Sequence, residues 1–158
     1  MKKILGLSIA TVIGLAACVK SSTPCQDHDP KSEVTEMQAF CISNGISYTT
    51  DSSSILYQII EPGTTPAIAN SYDTVTIKYE GKLLNGTTFD KSDSLVAYAG
   101  GFVPGFSYAL QKIKEGGRIK MVIPSAYAYG CNGSGTAIPG NSPIYFDVTL
   151  LKVRPYKQ

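Results

Sequence analysis

From Ile144 to Leu150 the chain alternates without a break. Ile144, Phe146, Val148 and Leu150 fall on one side, and Tyr145, Asp147 and Thr149 on the other. Period two over seven residues marks a strand with one apolar face, and such a face must lie on a core. The preceding glycines, Gly130, Gly133 and Gly135, suggest a phosphate loop at first sight. A phosphate loop opens a helix, whose N-terminal amides and dipole meet the anion. Here the loop runs through Pro139 and Pro143 into a strand and no helix follows, which argues against a phosphate loop.

The same alternation recurs upstream. In 73–90 it places Val75, Ile77 and Tyr79 on one side and turns at Asn85-Gly86, a strong hairpin signal. Arg118 to Pro124 alternates again, and Ser54 to Gly63 reads as a strand ended by Pro62-Gly63. Between these strands, 103–117 carries Phe106, Ala109, Leu110 and Ile113 on one helical face, stopped by Gly116-Gly117. Nearer the N-terminus, Asp29 as cap, Pro30 at the first helical position and Val34, Met37 and Cys41 at helical spacing predict a short helix, about 31–44. Asn44-Gly45 is its stop. Strands around one short central helix, with a second short helix ahead of them, make an α+β domain.

The first 17 residues stand apart. Two lysines precede an apolar run from Ile4 to Ala17, too short to span a bilayer comfortably, and Cys18 follows. The ending "LAAC" resembles the lipobox of bacterial lipoproteins, in which the cysteine is acylated and becomes the mature N-terminus. The expected organisation is a lipoprotein signal peptide over 1–17, a flexible tether over 18–30, the short helix within 31–45, and the domain over 46–158. The resemblance implies a bacterial cell-envelope location, periplasm-facing or on the outer-membrane surface, with membrane attachment through lipidated Cys18. Loss of Lys2 and Lys3 leaves twelve basic against twelve acidic side chains. A neutral body offers no drive towards nucleic acid. Cys25, Cys41 and Cys131 would then meet an oxidising compartment, and any of three bridges is open to them.

Little covalent chemistry is available. The single histidine, His28, lies in the tether, so no serine triad can be assembled. Cys131 has no evident base beside it, and no His/Cys set has the spacing of a metal site. No cofactor or metal is expected. What stands out is a set of aromatic and aliphatic residues in loops and at strand ends, with one carboxylate, Asp90, directly after Phe89. That combination suggests an apolar pocket carrying a few polar groups.

Four ordered stretches then carry a resemblance: "VTIKYEGKLLNGTTFD", "FVPGF", "LQKIKEGGRIKMVIPSAYAYG" and "IPGNSPIYFDVTLLKV". Across roughly 54–153 the chain resembles the FKBP-type peptidyl-prolyl isomerases. The resemblance implies a twisted antiparallel sheet wrapped around a short helix, with the pocket between them. It assigns Tyr79, Asp90, Val103 and Tyr129 as catalytic, and Phe89, Phe102, Phe106, Ile138 and Phe146 as substrate-binding. Tyr129 would end a strand at the rim, and the glycine-rich segment would be a flap. Proline-containing polypeptides are the implied substrates, with a macrolide as a further ligand and a monomer as the acting form. The floor position, usually Trp in the family, is Phe106. The flap position often held by His is Ser134, Ala137 replaces a larger aliphatic, and Tyr98 is the candidate outer aromatic. A non-catalytic peptide-binding or chaperone module on the same fold is the alternative, and a structural envelope lipoprotein a third reading.

Overall fold

The computed structural model describes residues 24–68 and 70–157; the leader over 1–17 and Cys18 lie outside them. At the centre of the molecule β4 (Thr74–Leu83) pairs with β8 (Ile144–Arg154) along its whole length. On their far sides β5 (Thr88–Tyr98) joins β4 and β7 (Arg118–Ile123) joins β8. With β2 (Leu56–Glu61) and β1 (Thr49–Thr50) they form one antiparallel sheet in the order β1-β2-β7-β8-β4-β5. A two-stranded ribbon of β3 (Thr64–Ala67) and β6 (Lys114–Glu115) lies apart from it.

The alternation read from the sequence sets the inner face. Val75, Ile77, Ile119, Met121, Val148 and Leu150 are buried there against Phe106, Ala109 and Leu110 of helix α2 (Pro104–Leu110). Gly105 allows the close approach: a Cβ at that position would collide with Ile123 of β7. The helix is shorter than the sequence predicts. Its regular part ends at Leu110, and Ile113 is buried in the turn beyond it. Beyond the helix the chain is drawn away, because Lys114 N–H donates to Pro62 O, at 2.9 Å, just ahead of β3, and Lys114 and Glu115 pair with β3. Gly116, at φ +80°, turns the chain into β7, a conformation that side chains bearing Cβ resist.

The outer face of the sheet is not simply polar. Tyr145, grouped with the polar residues by its alternation, is buried together with Val122 and Leu56 under helix α1 (Val34–Ser43). Met37 and Cys41 of α1 pack on them, and Phe40 meets the Tyr145 ring at 5.2 Å. Burial pushes the Cys41 thiol up to about 11, leaving it inert as a nucleophile. The predicted cap is in place: Asp29 Oδ1 accepts from Lys31 N–H at 3.0 Å, ahead of a 3₁₀ turn over Pro30–Glu33 that leads into α1. So is the stop, with Gly45 at φ +64° and Ile46 N–H donating to Cys41 O.

The described part of the predicted tether differs from expectation. Cys25 is bridged to Cys131, Asp27 Oδ1 accepts from Cys131 N–H at 2.7 Å, and His28 N–H donates to Asn141 Oδ1 at 3.2 Å. Residues 25–28 are therefore fastened to the body. Of the three bridges the sequence left open, the structure forms Cys25–Cys131, and Cys41 is free and buried. Asp27 and Asn141 side chains reach the backbone across the chain, a pairing over 104 to 115 positions that no local pattern reveals.

Candidate functional site

A cleft of about 400 Å³ opens on the inner face of the sheet, between β4, β5 and the start of α2. Its floor is aromatic. Phe106 meets Phe146 edge-on, with ring centroids 4.8 Å apart and planes at 88°, and meets Phe102 at 4.6 Å. Tyr79 closes the group, 6.5 Å from Phe106 and 6.2 Å from Phe146. Such edge-to-face and offset pairs add about 0.5–1.5 kcal/mol each beyond their buried area. They also keep the rings in fixed planes. Phe106 projects from the first turn of α2, Phe102 and the cap residue Val103 come just before the helix, and Phe146 points inward from β8.

Seven of the nine residues assigned from the sequence line this cleft: Tyr79, Asp90, Phe102, Val103, Phe106, Tyr129 and Phe146. Phe89 stands behind it, its ring edge-on to Phe146 at 5.6 Å. Gly81 makes that contact possible, because a Cβ there would sit 2.6 Å from Phe146 and 2.7 Å from Phe89. Ile138 is buried in the core below the loop, held by paired hydrogen bonds with Ser134 of 2.8 and 3.1 Å. Tyr129 does not end a strand. Pro124 terminates β7, and Tyr129 lies between 3₁₀ turns over Ser125–Tyr127 and Gly130–Asn132.

Three lining residues were missed: Leu95, Ala97 and Gly101. Strand β5 runs on to Tyr98 because a bulge restores its register. Ile77 and Tyr79, two apart, face Leu95 and Ser92, three apart. Ser92, Asp93 and Ser94 hide this strand in the sequence; the alternation Leu95, Ala97 was its only signal. Tyr98 is one step out of phase and 63% exposed, so it is not the outer aromatic of the cleft.

The polar groups converge on one corner. Tyr79 O–H donates to Asp90 Oδ2 at 2.6 Å, a short charge-assisted bond. Burial, then this bond and the Asp90 charge, push the Tyr79 hydroxyl well above its ordinary range. Burial and the Asp90 charge raise Tyr129 as well. Both hydroxyls therefore stay protonated, as donors, at neutral pH. A larger groove of about 660 Å³ uses the opposite faces of β4 and β8. Four of its charged groups are paired with one another, Lys78 with Asp93 at 2.8 Å and Arg118 with both oxygens of Asp147 at 2.8 and 2.9 Å. It has no apolar floor for a proline ring, so the smaller cleft is the better site.

The model of the FKBP-type peptidyl-prolyl cis-trans isomerases matches residues 65–151, the segment that builds both the sheet and the cleft. The chain belongs to this family. Among relatives, the FKBP-type isomerase FkpA of Escherichia coli K12 is 43% identical over 110 residues, 67% of this chain and 40% of that protein. The chain thus spans well under half the length of the curated relative it matches. The crystal structure of E. coli FkpA superposes with a TM-score of 0.70 at 36% identity, covering 80% of this chain and 61% of that one. A peptidyl-prolyl cis-trans isomerase from Pseudomonas syringae pv. tomato superposes at 0.67 with 26% identity, covering 82% of this chain and 99% of that one. The FKBP architecture expected from the sequence, an antiparallel sheet around a short helix, is the one observed.

Proposed function

We propose that this FKBP domain accelerates cis–trans isomerisation of X–Pro bonds in exported polypeptides. The observation that carries the reading is the aromatic cleft, with Phe106 as floor and with hydroxyl donors and one carboxylate at a single corner. The uncatalysed reaction crosses a barrier of about 18–20 kcal/mol, because twisting removes amide resonance. A twisted amide has less charge separation than a planar one. A dry apolar cleft therefore disfavours the planar ground state more than the transition state, and that difference is what accelerates a reaction. No bond is broken and no nucleophile is required.

In this mechanism Phe102, Phe106 and Phe146 hold the proline ring, with Phe89 and Ile138 supporting the wall from behind. The Val103 N–H and the Tyr129 hydroxyl orient the carbonyls flanking the bond. Asp90, with Tyr79 bonded to it, sets the field at the amide. A macrolide would occupy the same cleft. The test is exchange spectroscopy of a proline tetrapeptide with catalytic amounts of the full chain. Faster exchange is expected; binding without acceleration would make this a peptide-binding module instead.

The pH dependence follows from the two tyrosines. Their raised values keep the donor form through and beyond the ordinary phenol range of about 10. Turnover should stay level from about pH 6 to about pH 10, and fall through ionisation of the hydroxyls only above that range. A profile rising along one carboxylate titration would point to a general base and against this mechanism.

Location rests on the sequence. "LAAC" after a short apolar run supports lipidation of Cys18 and attachment to the bacterial cell envelope. The Cys25–Cys131 bridge supports export, since disulfides persist in oxidising compartments. Mass spectrometry of the membrane fraction should find diacylglycerol on Cys18. Recovery of a soluble chain cleaved elsewhere would rule the anchor out.

A further inference from the structure

We infer that residues Cys25–His28 form a positioning strap, which fixes Tyr129 in the cleft from outside the isomerase fold. The inference rests on the cleft mechanism proposed above. Tyr79, Asp90 and Phe146 stand on strands of the main sheet and Phe106 on α2, each braced by its own ladder or helix. Tyr129 stands on a segment outside both sheets and both helices, so its position depends on what holds the backbone beside it. That backbone is held by the strap.

Asp27 carries the first contact. Its Oδ1 accepts from Cys131 N–H at 2.7 Å and lies so close to Gly130 that a Cβ there would be 2.6 Å from it. Gly130, the residue after Tyr129, is at φ +58°, the left-handed region that glycine tolerates best. Thus the carboxylate sits on the bend that aims Tyr129. The second contact is covalent, Cys25 to Cys131. The third closes the far end of the loop. Asn141 Nδ2 donates to Gln26 O and Asn141 Oδ1 accepts from His28 N–H, both at 3.2 Å, while Asn141 N–H donates to Gly130 O at 2.8 Å. The strap therefore ties together both ends of the glycine-rich loop from Gly130 to Asn141. Gly133 N–H, donating to Tyr129 O at 3.1 Å, returns the loop to the cleft residue.

A donor that must meet a twisting amide is sensitive to small displacements, and misplacement by about 1 Å can cost roughly a hundredfold. Fixing Tyr129 from the strap removes that freedom before substrate arrives. Asp27 and the bridge are positioning residues in this sense and touch no substrate.

The test is a double-mutant cycle with the full chain, read as kcat/KM on a proline tetrapeptide, with circular dichroism verifying the fold of each variant. Asp27→Ala, and separately the pair Cys25→Ala with Cys131→Ala, should each lower kcat/KM about three- to tenfold. Asp27→Asn keeps the acceptor oxygen and should recover most of the loss. In a Tyr129→Phe background the same changes should cost less than about twofold, because the group they position is gone. A merely structural strap would lower the melting temperature and leave these couplings at zero. The inference is overturned if Asp27→Ala and the cysteine pair leave kcat/KM unchanged, if their losses are as large without the Tyr129 hydroxyl, or if Asp27→Asn recovers nothing. The two readings fail separately. An impaired Tyr129→Phe beside an inert Asp27→Ala removes the strap alone. A fully active Tyr129→Phe removes the role of Tyr129 in the cleft and the strap with it.

Discussion

Phe106→Ala should lower kcat/KM for a proline peptide by roughly 30- to 100-fold, equivalent to about 2–3 kcal/mol of transition-state stabilisation. The Phe106 ring touches Phe102, Phe146 and Tyr79, so its removal opens the floor and unfixes three neighbours at once. Water then reaches the bound amide and restores the planar form that the dry cleft disfavours. Phe106→Leu keeps most of the volume and should cost far less. The polar corner should respond more mildly. Asp90→Asn retains shape and an acceptor for the Tyr79 hydroxyl, and Tyr129→Phe removes one hydrogen bond, worth about 0.5–1.5 kcal/mol or roughly two- to twelvefold. Truncating a buried Phe also costs about 3–5 kcal/mol of stability, so each variant must be shown folded at assay temperature. If Asp90→Asn abolishes exchange and Phe106→Ala barely changes it, catalysis by an apolar cleft is wrong for this protein.

Those residues were legible because the fold states its inner face in period two. Val75, Ile77 and Tyr79 on β4, and Phe146, Val148 and Leu150 on β8, read as one face and are one face. The Asn85-Gly86 turn was equally explicit: Gly86 takes φ +90°, and Leu83 and Thr87 close the hairpin with a 2.9 Å bond. Legibility ended where tertiary pairing overrode local pattern. Tyr145 follows the polar register yet is buried, because α1 lies on that patch of the outer face. The bulge in β5 shifts Leu95 and Ala97 into the cleft wall, and a bulge is a property of the pair of strands, absent from either sequence alone. Residues 25–28 read as solvated tail because they have no apolar periodicity. Their order comes from a disulfide and from hydrogen bonds to a loop more than a hundred positions away.

The same blind spot concealed Glu33, which should carry a large share of stability. It was an ordinary charged residue in a predicted first helical turn. In the structure it is 3% exposed, and Ser125 beside it is fully buried. Glu33 Oε2 accepts from Ser125 N–H at 2.7 Å and Oε1 from the Ser125 hydroxyl at 2.5 Å, while His28 Nδ1 lies 3.3 Å from Oε1. The carboxylate thus joins the N-terminal 3₁₀ turn to the turn that follows β7, across 92 positions of sequence. Glu33→Ala would leave a buried N–H and a buried O–H without their acceptor, at about 1–3 kcal/mol each. The expected loss is about 3–5 kcal/mol, read as a lower urea midpoint with an unchanged slope. Glu33→Gln should be intermediate: its amide oxygen still accepts the Ser125 N–H and its NH₂ can donate to the hydroxyl oxygen, at the expense of charge-assisted strength. Ser125→Ala removes only the hydroxyl and should cost less than Glu33→Ala. A Glu33→Ala protein within about 1 kcal/mol of wild type would mean that water replaces the carboxylate at Ser125, and that the two segments are held together by the Cys25–Cys131 bridge and the packing of α1 alone.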